Sequence, residues 1–438
     1  MATRQFVSGA GFTQSAPVDL VVPNYTRPLA VVTTLFFMWG FLTCLNDILV
    51  PHLKAIFELS YAKVMLVQFA FFSAYFVFSV PWAKIVNAIG YQRTMVCGLL
   101  TMALGSFLFL PAASAASFGL FLTALVILAA GITGLQVAAN PYVVVLGKPE
   151  TGSSRLNLTQ AFNSLGTTIA PRLGGLLILS GAPLAMAQLQ QLTPRALHLY
   201  RVHEADTVKL PYTVIGVTLL LLATLIGTFK LPHIESAAYN REQVVGDSIW
   251  KHRNLVLAAI GIFTYVGAEV SIGSFLVNYF ESPDIAGLTA EKAAGFVSFY
   301  WGGAMVGRFI GADLLRRFKP ARLLAISSVL ALLLVASSML LSGHAAMWSI
   351  LAVGLFNSIM FPTIFSLGVA ELGPLTGNGS GVLNMAIVGG AVLPLLQGVI
   401  ADHFGIHHAF VVAAICYLYI LYFGLSGSKP NSERYAKA

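Results

Sequence analysis

Charge is scarce in this sequence. Only 10% of its 438 residues are Asp, Glu, Lys or Arg, where soluble domains carry about 25%. Hydrophobic residues make up 57% and the mean hydropathy is +0.81. That balance excludes a soluble globular protein and points to a chain that crosses a bilayer many times. Cysteine is nearly absent too. Cys44, Cys97 and Cys416 are the only three, all in apolar runs and at no metal or disulfide spacing, so they read as small hydrophobes. Acids are fewer than bases, 17 against 25, for a net charge of +8. The excess base is scattered at the ends of apolar runs and forms no basic domain. This gives no support to a nucleic-acid partner and fits the positive-inside rule for membrane proteins. Residues 1–24 are polar and lack the apolar core of a signal peptide, so the first span is expected to be uncleaved.

What the sequence has is apolar runs of about 20 residues, bounded by Gly, Pro and charge. The expected spans are 28–51, 61–87, 93–112, 117–146, 156–180, 210–231, 252–280, 292–315, 321–342, 346–370, 380–402 and 407–426. The fold class is therefore an all-α membrane protein of twelve transmembrane helices in two six-helix bundles. Its parts are a tail at 1–27, a bundle at 28–231, a polar linker at 232–251, a second bundle at 252–426 and a tail at 427–438. With the N-terminus inside, the loops on that side hold most of the Lys and Arg, which places both termini in the cytoplasm.

The halves resemble each other. Trp82–Arg93, after span two, aligns without gaps on Gly311–Arg322, after span eight. Gly152-Ser-Ser-Arg-Leu-Asn157 opens span five, and Gly379-Ser-Gly-Val-Leu-Asn384 opens span eleven at nearly the same offset. A repeated six-helix unit is the signature of transporters that rock two halves about a midplane site.

Polar residues inside such spans are costly and mark a path or a site. Leu35–Pro51 carries Asn46 and Asp47 among apolar neighbours. The plain alternative is an acid wetted at the helix mouth. Span four offers Gln136 and Asn140 on one face, and span five Gln160 and Asn163 on one face. Such amides can recognise sugar hydroxyls or merely join helices. Pro141 frees a backbone carbonyl, an irregularity tolerated where it lines a cavity. Glu269 lies mid-span, too central to snorkel easily, with Asn278 further along and Asn384 a weaker candidate in span eleven. Trp39, Tyr75 and Trp301, with Gln68, are candidates to hold the apolar face of a ring, although aromatics in membrane helices more often pack. For a cation shell, Thr43, Asn46 and Asp47 supply oxygens; for a proton, Asp47 or Glu269 alone would suffice.

With these motifs in view, the chain resembles the major facilitator superfamily. Within it, the fucose–galactose–glucose symporter family is matched over nearly the whole length. The motifs are Leu45-Asn-Asp-Ile-Leu-Val-Pro51, Ala138-Ala-Asn-Pro141, Arg155–Asn163, Tyr265-Val-Gly-Ala268 and Phe361–Gly368. The resemblance implies a monosaccharide importer coupled to a cation gradient, with Asp47 in the sugar and cation pathway and a monomer as the default. It implies gating roles for Arg93, Arg308 and Asp313, which match copies of the superfamily's loop motif. The fucose branch carries a coupling glutamate where this chain has Gln136, and a neutral residue where it has Glu269. That exchange resembles the glucose/galactose and N-acetylglucosamine branch and tilts the coupling ion from proton to sodium. No other cofactor is expected.

Arg172 departs from the family pattern, in which that position is apolar. It lies ~25 Å along the helix from Arg155. It could pair with an acid across the cavity, Glu269 included, snorkel, or bias the conformation. His403, His407 and His408 cluster near one loop at poor metal spacing. There is no nucleophile–base pairing, HExxH or phosphate-binding glycine loop, so an enzyme reading has no support. An uncoupled facilitator or a lipid or drug exporter are the competing transport readings. The expected partners are a sugar and the surrounding lipid.

Overall fold

The computed structural model describes residues 25–57, 61–115, 117–178, 193, 195–196, 200, 208–232 and 248–429. Within these, the side chains of 44–57, 61–66, 68, 171–178, 290 and 291 are not described. The first bundle comprises α1 (Thr26–Phe57), α2 (Tyr61–Ile89), α3 (Tyr91–Ser114), α4 (Phe118–Val145), α5 (Gly152–Ile178) and α6 (Lys209–Thr228). The second comprises α7 (Arg253–Glu281), α8 (Ala290–Arg317), α9 (Pro320–Leu340) and three helices in pieces. These are α10 (Gly343–Asn357 and Met360–Gly368), α11 (Thr376–Met385, a tighter turn at Ala386–Val388, then Gly389–Phe404) and α12 (Ile406–Ala409, Val411–Tyr422 and a wide turn at Phe423–Gly427).

Ten of the twelve are long and apolar enough by themselves to cross a membrane. α5 and α8 fall short, because both carry amides, hydroxyls or charge along their length. Asn157, Gln160, Asn163 and Ser164 of α5 are buried and Arg308 of α8 is nearly so, whereas the described acids and bases at the ends of α8 are exposed. α5 packs against α8 across the two halves, and α2 packs against α11 in the same way. The two least apolar helices therefore pair with each other, and an interior seam tolerates what lipid would not.

α4 shows the opposite pattern. Leu128–Val143 is buried without interruption, as expected of a helix that is apolar all round. Small residues let its neighbours close on it. A Cβ on Gly131 would stand 2.5 Å from the Met102 nitrogen of α3, and one on Gly134 2.4 Å from the Trp82 ring of α2. Trp82 donates its indole N–H to the Ala130 carbonyl at 2.8 Å. The end of α4 is tied to the start of α5 by Arg155, whose guanidinium donates to the Val143 and Val144 carbonyls at 3.1 and 2.6 Å. Those carbonyls belong to the last turn, which a cation suits.

The sequence repeat reappears as geometry. α2 ends before the turn at Gly90, and α8 ends before the turn at Lys319, at matching points of the aligned segments. In the first half, Asn163 of α5 donates to the Phe36 carbonyl of α1 at 3.0 Å. In the second, a Cβ on Gly389 of α11 would come 2.1 Å from the Phe263 carbonyl of α7. Equivalent helix pairs thus approach at the same level, one through an amide and one through bare backbone.

Candidate functional site

Prolines prepare two carbonyls at the seam. Pro141 has no N–H to give the Val137 carbonyl one turn back, and Pro362 none to give Ser358. α4 stays helical through Pro141, whereas α10 breaks just before Pro362. The Val137 carbonyl accepts a hydrogen bond at 2.8 Å from Ser380 of α11, across the halves. The carbonyl freed by Pro141 is therefore taken by the other half and is not left to line a cavity. The Ser358 carbonyl faces Nε of Arg308 at 3.4 Å.

Cross-half hydrogen bonds among the described residues gather at the end where α2, α4 and α8 finish and α5 and α11 begin. Asn87 donates to the Asn378 amide oxygen at 2.6 Å, and the Ser153 and Ser366 hydroxyls lie 2.5 Å apart. Ser154 donates to the Ala312 carbonyl and Asn157 to the Arg308 carbonyl, both at 2.6 Å. The seam continues inward to Ser164, which accepts from the Arg308 guanidinium. The halves are thus sealed on the side that carries the basic loops.

Behind this seal lie the candidate ligand groups. Gln136 is buried and donates to the Tyr75 hydroxyl at 2.7 Å, while its own oxygen has no protein partner. Neither polar atom of the Asn140 side chain has one, although the residue is fully buried. The Gln160 Nε2 and the Asn384 Oδ1 are likewise unpartnered. Asn384 donates to the Ser380 carbonyl at 2.9 Å, and Ser380 bonds α4 at Val137, next to Gln136. The α4 and α11 amides therefore sit on adjoining turns. Buried amides are rarely left open, and each unmade bond costs ~1–3 kcal/mol unless water or a ligand fills it.

Glu269 of α7 sits 3.8 Å from Nη2 of Arg308, both side chains nearly buried. At that distance the arginine offsets the charge without a tight hydrogen bond, so the carboxylate can still accept from a ligand. Among the described residues its charged partner is Arg308; the side chain of Arg172 lies outside them. A second chain stiffens this region: Tyr417 donates to Asn357 at 2.7 Å, Asn357 to the Tyr300 hydroxyl at 2.8 Å, and Tyr300 to the Glu269 carbonyl at 3.3 Å.

Several sequence expectations are corrected. Arg308 does not pair with the motif's Asp313; it is turned inward to Glu269 and Ser164. Asp313 instead pairs with Arg317 at 2.8 Å on the exposed end of α8. Asn278 is exposed near the end of α7, ~14 Å along the helix from Glu269, and does not join the buried cluster. Trp301 is 42% exposed against Gly273, while its neighbour Tyr300 is buried. Tyr75 enters through its hydroxyl, and its ring meets Phe71 edge-on. Trp39 is buried beside Phe36 with centroids 5.1 Å apart, and Asn163 spends its amide N–H on α1. Thr43 donates back to the Trp39 carbonyl at 3.0 Å. Arg93 is exposed at the start of α3. The backbones of Asn46, Asp47 and Gln68 fall within α1 and α2, and their side chains lie outside the described residues. α1 continues to Phe57, so Asp47 is not at a helix mouth. The three histidines face different partners: Val399 O for His403, Phe404 O for His408, and Met339 O with Tyr279 for His407.

Sequence reasoning missed Arg308 as the partner of Glu269, and Ser164, Ser380 and Asn357 as connectors. A signal existed for Arg308, which lies too far from the end of α8 to be a loop residue.

Comparison with known proteins agrees with this architecture. Residues 31–387 match the family model described as Major Facilitator Superfamily. A glucose/galactose transporter of Brucella abortus is 52% identical over 406 residues, covering 93% of this chain and 95% of that protein. The L-fucose-proton symporter of Escherichia coli is 36% identical, covering 91% and 93%. A crystal structure of the transporter FucP in the outward conformation superposes with a TM-score of 0.87 at 35% identity, covering 92% of this chain and 99% of that one. The chain is an integral membrane protein and belongs to the fucose–galactose–glucose symporter family of the major facilitator superfamily.

Proposed function

We propose that this protein imports a monosaccharide, with glucose and galactose the leading substrates, by alternating access coupled to a cation gradient. The observation that carries this reading is the set of buried amide atoms without protein partners on α4, α5 and α11, beside a charge-offset carboxylate on α7. Sugar hydroxyls donate and accept at once, so they complement Asn140, Gln136, Gln160 and Glu269 together. A relative 52% identical and named a glucose/galactose transporter supports the choice of sugar.

Arg308 ties the site to the moving seam, since one guanidinium touches Glu269 of its own half and Ser164 of the other. Occupation of Glu269 by a sugar hydroxyl weakens its hold on Arg308, and the seal at Ser164 loosens with it. For the cation we propose Asp47 with Thr43 and Asn46. Pro51 has no N–H to give the Asp47 carbonyl one turn back, which leaves a backbone oxygen available on this stretch of α1. The absence of a carboxylate at Gln136 favours sodium over proton. Both termini lie on the sealed side in this reading, which is the cytoplasmic side of a bacterial inner membrane.

The test is uptake of labelled glucose, galactose and N-acetylglucosamine into proteoliposomes under an imposed sodium or proton gradient. Accumulation above equilibrium with sodium alone is the expected result. Equilibration without accumulation would make the protein a facilitator, and accumulation with protons alone would move the coupling role to a titrating Asp47 or Glu269.

A further inference from the structure

On the first bundle, α1, α5 and α6 leave a groove of about 560 Å³. Leu29, Phe37, Leu158, Phe162 and Leu222 supply its apolar lining. Three of its threonines add methyl groups, because their hydroxyls turn back onto their own helices. Thr33 donates to the Leu29 carbonyl at 2.7 Å, Thr34 to Val31 at 2.7 Å, and Thr218 to Val214 at 2.8 Å.

Its length and the charge at that end of the bundle point to the occupant. The groove begins at Thr26, the first residue of α1, and ends at Met38. That is ~18 Å along the axis, close to one leaflet of a hydrocarbon core ~30 Å thick. An apolar lining of that length matches a hydrocarbon chain laid along it. Toward the end where α1 begins and α6 finishes, Arg27 follows the lining residue Thr26 and Lys230 lies just past Thr228, both exposed. Lipid tails are as apolar as the lining itself, so shape and head-group charge decide which lipid stays.

We propose that the groove holds one acyl chain of an anionic phospholipid from the leaflet on the side where α1 begins, with its head group at Arg27 and Lys230. The site reaches the transport seam through Phe162. This ring lines the groove and also meets Phe309 of α8 edge-on at 5.9 Å.

The experiment is native mass spectrometry of the full chain, with phosphatidylglycerol and phosphatidylcholine supplied in equal amounts. One retained phosphatidylglycerol per chain is expected. Ala30→Trp and Thr34→Phe, each filling the groove from an exposed α1 position, should lose it while keeping the native melting temperature. Arg27→Gln should reduce the preference for phosphatidylglycerol about fivefold, the worth of one basic side chain near an anionic surface. Equal retention of the two lipids by the native chain would overturn the proposal. So would an unchanged adduct in both groove-filled variants, or a lipid-free dimer, which would give the groove to a second copy.

Discussion

Arg308 Nη2 lies 3.8 Å from Glu269 Oε1 inside the second bundle, while the same guanidinium reaches Ser164 of the first. Removing only one charge leaves the other uncompensated in a buried place, which typically costs ~3–5 kcal/mol. Arg308→Gln should therefore lower the melting temperature in detergent more than the double variant Arg308→Gln/Glu269→Gln does. Equal melting of the two would show that the pair does not offset itself.

Asn140 and Asn163 should separate ligand amides from structural ones. Asn140 has no protein partner, so Asn140→Ala is expected to cost little stability, below ~1 kcal/mol, while weakening sugar binding. Asn163 holds the Phe36 carbonyl, so Asn163→Ala should destabilise the α1–α5 contact as well. Melting curves and sugar-binding isotherms on the same samples distinguish the two patterns.

Tyr75→Phe tests the positioning of Gln136. Loss of the hydroxyl leaves the amide N–H unpaired in a buried site, at ~1–3 kcal/mol. The apparent KM for sugar uptake should rise by about tenfold, with maximal rate less affected. An unchanged KM would remove Gln136 from the sugar site.

Ser153 and Ser366 touch across the halves. Ser153→Cys/Ser366→Cys in a background without the native cysteines should cross-link on oxidation, because their close side chains suit disulfide geometry. Uptake should stop, and return on reduction. Continued uptake by the cross-linked protein would mean that the seal does not open in the cycle.

Pro141→Ala restores an N–H to the Val137 carbonyl and so competes with Ser380. The expected outcome is a seam that opens more readily toward the basic-loop side, read as faster thiol labelling of a cysteine placed at Ala312, a buried seam position whose bond to Ser154 runs through its backbone carbonyl. Slower or unchanged labelling would argue against a proline-dependent latch.

Much of this molecule was determined by the sequence by itself. Apolar run lengths, basic loops and the duplicated segments yield twelve helices in two related halves, because hydropathy acts locally and a membrane forces nearly every apolar run into a helix. The mid-span acids and amides, and the carbonyl freed by Pro141, were legible for the same reason. What the tertiary structure alone decided was partnership: Arg308 for Glu269, Ser380 for the Val137 carbonyl, Tyr75 for Gln136, and α1 for Asn163. Those partners lie far apart in the chain, and a local pattern records that a polar group must be satisfied but not by whom. Only the packing of α5 on α8 and α2 on α11 brings the groups within reach.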